Sequence, residues 1–462
     1  MWRGYIPTRW SDDVGVPGSE AHACVAFLAD RFTGTDGNIA HALSSASQAM
    51  KTVSFRYSQP FWLNFYKATF EARCNRALRE DISAIHRNLF PALQMDVAKP
   101  SESYAKGRKR RIGFISTNFR NHSVARDRHG IIRNLNRDLF DVHVFFFRKY
   151  EHDYYFHQIW DAGHTNVVLS GTYETQVRTI GQAQLDILVF CDIGFTPETY
   201  LLAHARMAPV QVTTWGHSET SGISTIDYYV SSELYERAPE AAQADYSEQL
   251  VLQRSLCTFY DPLFIQGNLD QPLHDGTLSA LINGPPYALC AQFLCKLRID
   301  YLRMVNSVLA NDPTLRIVFI NGAQDVLDAE RLKSACKGVM DQIVLLDKMR
   351  TADLYKVMRG ARLIVDSYPH GGCNTSLEAF YMHKAIITFP HTCLRGRFTY
   401  GFYQKMGIKE GPIAWSFEEM GAKVLHYWSD GQAREALEEA IGKRQQGLFQ
   451  DLESVHEWNV LL

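Results

Sequence analysis

The 462-residue sequence has no Asp-x-Asp pair, no Cys-x-x-Cys pair, almost no net charge and no apolar run long enough to span a membrane. Each absence narrows what the chain can do. Without an Asp-x-Asp pair, a common paired-carboxylate grip on a divalent ion is missing, so no bound metal is expected. Nine cysteines, an odd number scattered singly, fit neither a disulfide framework nor a ribbon-type zinc site. They read as reduced thiols in an intracellular compartment, and the closest pair, Cys290 and Cys295, reads as ordinary core cysteine. With 48 basic against 50 acidic residues the formal net charge is -2, so no bulk field draws the molecule to nucleic acid or an anionic membrane. No window approaches the roughly 18 uncharged apolar residues of a spanning helix, and the opening "MWRGYIPTRWSDDVG" lacks the charged start and apolar core of a secretory signal. The expectation is a soluble cytoplasmic protein whose partners must be read from local sites.

What is present is apolar patterning of two kinds. Hydrophobic residues make up 46% of the chain, enough at this length to bury two or three cores. Residues 1–97 carry helical spacing, as in Phe61, Leu63, Tyr66, Phe70 and Cys74, without self-similarity at the roughly 34-residue period of a tetratricopeptide array. A polar, basic stretch at 98–110 reads as a linker. From 111 to 265 the period changes to short β-rich runs ("RIGFIST", "FDVHVFFFR", "TNVVLS", "LDILVFC", "PVQVTTW", "DYYVSS", "EQLVLQ"), several separated by polar or helical segments. A Gly/Pro-containing break at 266–285 reads as a second linker. The alternation then restarts over 286–425 and ends in amphipathic helices at 426–462. Strands alternating with helices predict an α/β fold of two doubly wound, Rossmann-like domains, with ligands beyond the carboxyl ends of the strands in a cleft between them.

One stretch carries chemistry on its face. "DSYPHGGCNTSLEAF", Asp366 to Phe380, follows the buried run "RLIV" and predicts a strand, a loop with Gly371 and Gly372, and a helix beginning near Cys373, Asn374, Thr375 or Ser376. The glycines let backbone approach a ligand, and the free N–H groups at a helix start favour a phosphate. Glu378, one turn further in, can accept hydrogen bonds from a ribose diol. A capped turn with a solvent-facing glutamate fits the same residues.

Four segments resemble the O-GlcNAc transferase/SPINDLY family of GT-B glycosyltransferases. They are "IGFISTNFRNHS" (112–123), "LDILVFCDIGFTPETYLLAHARMAPVQVTTWGHSETSGISTIDYYVSS" (185–232), "DYSEQLVL" (245–252) and the 366–408 stretch that begins "DSYPHGGCNTSLEAF". The resemblance implies that donor phosphates meet the 373–375 helix start and Lys296, that Glu378 meets the ribose, and that His122 lies beside the acceptor. It also implies an inverting, metal-independent transfer from a nucleotide-diphosphate sugar, UDP-GlcNAc foremost, to Ser/Thr hydroxyls of a protein, with no cofactor and with neither nucleic acid nor membrane as partner.

The residues allow matching roles. Lys296 would add fixed charge to the helix start, with Arg397 a weaker candidate for the same cleft. A neutral His122 could accept or relay the acceptor proton, with Asp192 as second-choice base. Asp186 stands at the other end of Asp192's strand, and His217 and Ser221 would shape the floor between donor and acceptor. The chain departs from UDP-sugar-using relatives in having Cys373 and Asn374 at the phosphate helix. It also has Leu354 where they stack a histidine on the base, leaving Tyr355 to stack, and Phe293 where they have a glutamine, with Gln292 beside it. Donor identity therefore stays open to GDP-fucose and a SPINDLY-like O-fucosyl transfer. A sugar-nucleotide epimerase and a catalytically silent nucleotide-sugar-binding protein are the remaining alternatives.

Overall fold

The computed structural model describes residues 74–99, 108–147, 153–322 and 326–462. Most of the expected N-terminal helical region and most of the first linker lie outside these residues. Two parallel sheets form the scaffold. The first contains β1 (Arg110–Ser116), β2 (Phe140–Phe146), β3 (Thr165–Val168), β4 (Ile187–Phe190), β5 (Val210–Thr214), β6 (Tyr228–Ser232) and β7 (Gln249–Gln253), in the order β3-β2-β1-β4-β5-β6-β7. The second contains β8 (Ala288–Phe293), β9 (Ile317–Asn321), β10 (Ile343–Asp347), β11 (Leu363–Val365) and β12 (Ile386–Ile387), in the order β10-β9-β8-β11-β12. Each β-rich run read from 111 to 265 is one of the first seven strands.

Every described pairing within the two sheets is parallel. That geometry requires crossover helices and burial of both faces, which explains why β4 ("ILVF") and β11 ("LIV") are apolar at every position and wholly buried. In both sheets the order reverses beside the first strand, between β1 and β4 and between β8 and β11. Those are the points where a doubly wound sheet opens a crevice at its carboxyl edge.

Two segments depart from the expected organisation. The break at 266–285 is not an extended linker: it holds most of one short helix, Leu263–Leu269, and all of another, Thr277–Ile282. Ile265 and Leu278 are buried there, with Phe264, Leu281 and Ile282 packed against the core. The C-terminal helix, Leu452–Leu461, returns to the first sheet's lobe, where Trp458 donates its indole N–H to the Cys257 carbonyl at 3.0 Å and Glu457 accepts the N–H groups of Arg254 and Ser255. One apolar core runs through both lobes and includes Trp215 against Phe398, ring centroids 4.7 Å apart. The described part of the N-terminal region includes the helix Arg76–Leu89, whose Leu78, Ile82, Ile85 and Leu89 pack in a second core with Leu188 and Tyr200 of the first lobe. Among the described residues no helix is long and apolar enough to cross a membrane.

Candidate active site

The carboxyl edges at the two reversal points gather most of the residues singled out from sequence. Residues 117–122, ending at His122, follow β1; Asp192 follows β4; Lys296 follows β8; and 366–375 follow β11.

On the second lobe the loop after β11 is wrapped around Asp366. Its buried carboxylate accepts the N–H groups of Ser367 (2.9 Å) and Gly372 (2.8 Å) on Oδ1 and the hydroxyls of Thr388 (2.9 Å) and Thr399 (2.7 Å) on Oδ2. Burial pushes this carboxyl's pKa up, and the four hydrogen bonds pull against that shift. The loop delivers the chain to the helix Asn374–Tyr381, whose N-cap residue Cys373 makes no side-chain capping bond. The first N–H groups of that helix are thus left without a side-chain acceptor, which suits an anion. Nearby, the Asn374 Nδ2 is buried without a hydrogen-bond partner.

Lys296 is tied to this helix start. Its Nζ donates to Gln292 Oε1 at 2.7 Å, and Gln292 Nε2 donates to Thr375 Oγ1 at 2.5 Å. A register shift in the β8–β9 pairing between Cys290 and Phe293 explains how. The irregularity turns Gln292 inward and leaves Phe293 38% exposed, so the amide that sequence spacing placed one residue out of step still reaches the site. An isolated bridge between Leu297 and Pro369 holds the lysine turn beside the Asp366 loop.

On the first lobe His122 is the N-cap of the helix Ser123–Asn134, its Nδ1 accepting the Val124 N–H at 3.2 Å. Burial, then the charges of Arg120 and Arg126, lower its pKa to about 4. The imidazole is therefore neutral, and with Nδ1 engaged as acceptor its proton sits on Nε2. That neutral ring is the form expected of a residue that accepts or relays the acceptor proton, and in this arrangement it presents Nε2–H as a donor. Its edge meets Phe195 at 5.7 Å between centroids, and Phe195 in turn meets His217 at 5.5 Å. Asp192 is wholly buried beneath the same loop, accepting from Thr117 Oγ1 (3.2 Å) and Asn118 Nδ2 (2.7 Å), while its Oδ1 has no partner. Burial raises its pKa to about 7 against the pull of hydrogen bonds from Ser116, Asn118 and Thr117.

Other candidates lie elsewhere or in other roles. Glu378 is not solvent-facing but held at the lobe junction: it is 4% exposed, and its Oε1 accepts from Arg126 Nη1 of the first lobe at 3.2 Å and from the Tyr260 hydroxyl at 3.3 Å. Tyr355 is fully buried, so its ring cannot stack on a base, although its hydroxyl faces Glu378. Arg397 is a structural clasp, donating to the carbonyls of Tyr235 and His391, because its stem leaves the loop toward the lobe junction. Ser221 is fastened to Glu248 within the first lobe. Asp186 precedes β4, at the edge opposite the crevice, where it receives Arg108 and the Arg111 N–H. His217 is buried, its pKa lowered to about 3 by desolvation and then by Arg79, whose Nη2 lies 3.2 Å from Nδ1. It shares that guanidinium with Glu219, which also pairs with Arg395 of the second lobe. Sequence reading assigned no role to Asp366, Arg126 or Glu219, since each acts through partners remote in the chain.

Known proteins match this arrangement. Residues 66–261 match glycosyl transferase family 41. The chain is 23% identical over 322 residues to the probable UDP-N-acetylglucosamine–peptide N-acetylglucosaminyltransferase SEC of Arabidopsis thaliana, covering 68% of this chain and 32% of that protein. It thus spans about a third of that relative's length. The solved O-GlcNAc transferase of Thermobaculum terrenum superposes with a TM-score of 0.71 at 20% identity, covering 92% of this chain and 79% of that one. Anabaena Alr3699/HepE in complex with UDP gives a TM-score of 0.50 at 11% identity, covering 76% and 98%. The two structural likenesses establish the GT-B fold. The family-41 match over residues 66–261 and the curated relative add a sequence similarity to O-GlcNAc-transferase-type glycosyltransferases.

Proposed function

We propose that this protein is an inverting, metal-independent glycosyltransferase that moves a sugar, GlcNAc from UDP-GlcNAc foremost, to Ser/Thr hydroxyls of cytoplasmic proteins. The observation that carries this reading is the Lys296–Gln292–Thr375 chain of hydrogen bonds, which sets a cation beside an uncapped helix start at the reversal point of the second sheet. Fixed positive charge at that place suits a departing nucleoside diphosphate, and preorganised charge is worth most where the leaving group gains it. The acceptor oxygen attacks the anomeric carbon as the bond to the diphosphate breaks, so one displacement inverts the configuration. His122, a neutral donor through Nε2–H, orients the acceptor. The oxygen's proton then passes to the diphosphate, which gains negative charge as it leaves.

The test is incubation with UDP-GlcNAc or GDP-fucose in excess EDTA, with and without Ser/Thr-rich acceptor protein, reading nucleotide release and acceptor mass. Release of one nucleotide diphosphate with matching mass gain on the acceptor supports the reading. Activity that disappears on chelation and returns with manganese or magnesium contradicts the metal-independent part of it. A second reading, a silent nucleotide-sugar-binding protein, is favoured by the capture of Glu378 by Arg126; nucleotide binding without any release would establish it.

A further inference from the structure

The lobe junction contains a carboxylate held by the opposite lobe. Glu378 lies one turn into the helix whose start faces the proposed diphosphate site. The groups facing it are Arg126 and Asp127 from the helix Ser123–Asn134, Tyr260 from the segment after β7, and Tyr355 from the helix Thr351–Gly360. Arg126 is itself pinned. Its Nη1 donates to Glu378 Oε1, its Nη2 donates to Asn121 Oδ1 at 3.0 Å, and its Cζ lies 3.7 Å from the centroid of Phe264. The same neighbourhood holds three buried polar atoms without hydrogen-bond partners: Arg126 Nε, Asp127 Oδ1 and, one turn back along the helix, Asn374 Nδ2. Unsatisfied buried groups are few in a folded protein, and each needs an explanation. Two donors and one acceptor from both lobes suit a ligand rich in hydroxyls and phosphate oxygens.

We propose that Arg126 is a positioning residue of the donor site, contributed by the first lobe, whose ion pair with Glu378 aims that carboxylate at the ribose diol of the nucleotide. This rests on the donor-site reading given above. Burial raises the Glu378 pKa and Arg126 is the foremost influence pulling it back down, and a neutral carboxyl accepts hydrogen bonds poorly. Arg126 is the cation that faces it. The sign of the effect follows: without the guanidinium, Glu378 ionises only at higher pH, so nucleotide binding is weak in mild acid and recovers as pH rises.

The experiment is calorimetric titration of UDP and GDP into the intact protein and its variants from pH 6 to 9. Affinities are taken relative to the parent at each pH, so that ionisation of the nucleotide cancels. Arg126→Met is expected to bind about tenfold more weakly near pH 6.5 and to regain most of the loss by pH 8.5. Arg126→Lys should keep affinity near the parent's, and Glu378→Gln should be about tenfold weaker at every pH. A pH-independent loss in Arg126→Met that lysine does not rescue would reduce Arg126 to a packing role. Tighter binding by Arg126→Met would make the guanidinium an obstruction, and parental binding at every pH would leave it idle; either overturns the proposal. If instead Glu378→Gln binds as the parent does, the donor-site reading of Glu378 fails and takes this proposal with it. Should Arg126→Met not fold, the lysine variant decides: it must keep affinity where Glu378→Gln loses it.

Discussion

Lys296 and Thr375, 79 residues apart in sequence and on separate elements, are joined through one amide: Gln292 accepts from the lysine and donates to the threonine. The lysine is thereby aimed at the helix start rather than left to sample rotamers. If it stabilises the departing diphosphate, Lys296→Met should lower turnover by about 10² or more, the roughly 3–4 kcal/mol of one such donor, while nucleotide affinity changes little. Gln292→Ala should lower turnover in the same direction by a smaller factor. Steady-state kinetics at saturating donor, paired with calorimetry, separates the two effects; equal losses of affinity and turnover would place Lys296 in ground-state binding.

A side chain at Gly372 would crowd the protein before any ligand arrives. A Cβ there would lie 2.4 Å from Ser376 Oγ and 2.8 Å from Thr375 Oγ1, both in the first turn of the helix. Gly372→Val should therefore cost about 1–3 kcal/mol and lower the melting temperature, besides blocking nucleotide. Adding Ser376→Ala should restore part of the stability. Thermal unfolding of the single and double variants checks this, and a valine variant that melts like the parent would return the glycine to a purely ligand-facing role.

The first sheet was legible because parallel strands buried on both faces write themselves as short apolar runs, and each such run from "RIGFIST" to "EQLVLQ" is a strand. The edge positions of His122, Asp192, Lys296 and the Gly371–Gly372 loop were legible for the same reason: a residue just after a strand of a doubly wound sheet lies at the ligand edge. Local spacing does not encode which remote side chain meets which. Arg126 and Glu378 are 252 residues apart, so nothing near Glu378 announced that its carboxylate is taken from the other lobe. Arg397 and Ser221 sit in polar turns that resemble site loops, yet Tyr235, His391 and Glu248 consume them. The displacement of the site amide from 293 to 292 follows from the irregularity in β8, which no alternation pattern showed.

His122 should act without titrating near neutrality. Burial holds its imidazole down at about 4, and the Val124 N–H fixes the Nε2–H tautomer. A role that needs the neutral ring predicts activity insensitive to this group from about pH 5.5 upward and failing in acid as pH drops through about 4. His122→Ala should reduce turnover by about 10² with nucleotide affinity nearly unchanged, and loss of the cap should cost stability by about 1 kcal/mol. A pH–rate limb near 6.5 that vanishes in the variant would contradict this assignment.

Asp192 gives a stability signature independent of catalysis. Its pKa is raised to about 7 by burial, so between the ordinary carboxylate range and 7 the folded state binds a proton that the unfolded chain has released. Stability from this group therefore falls as pH rises through that window, by up to a few kcal/mol, because the slope follows the excess protons of the unfolded state and here that excess is negative. Asp192→Asn keeps an oxygen to accept from Thr117 and an amide in place of the acid, and it removes the titration. Relative to the parent, its melting temperature should rise between pH 5 and 8, with the gain largest at the alkaline end. A parent–variant difference that stays constant across that range would mean Asp192 remains ionised in the folded protein, with its Oδ1 satisfied by water rather than by a proton.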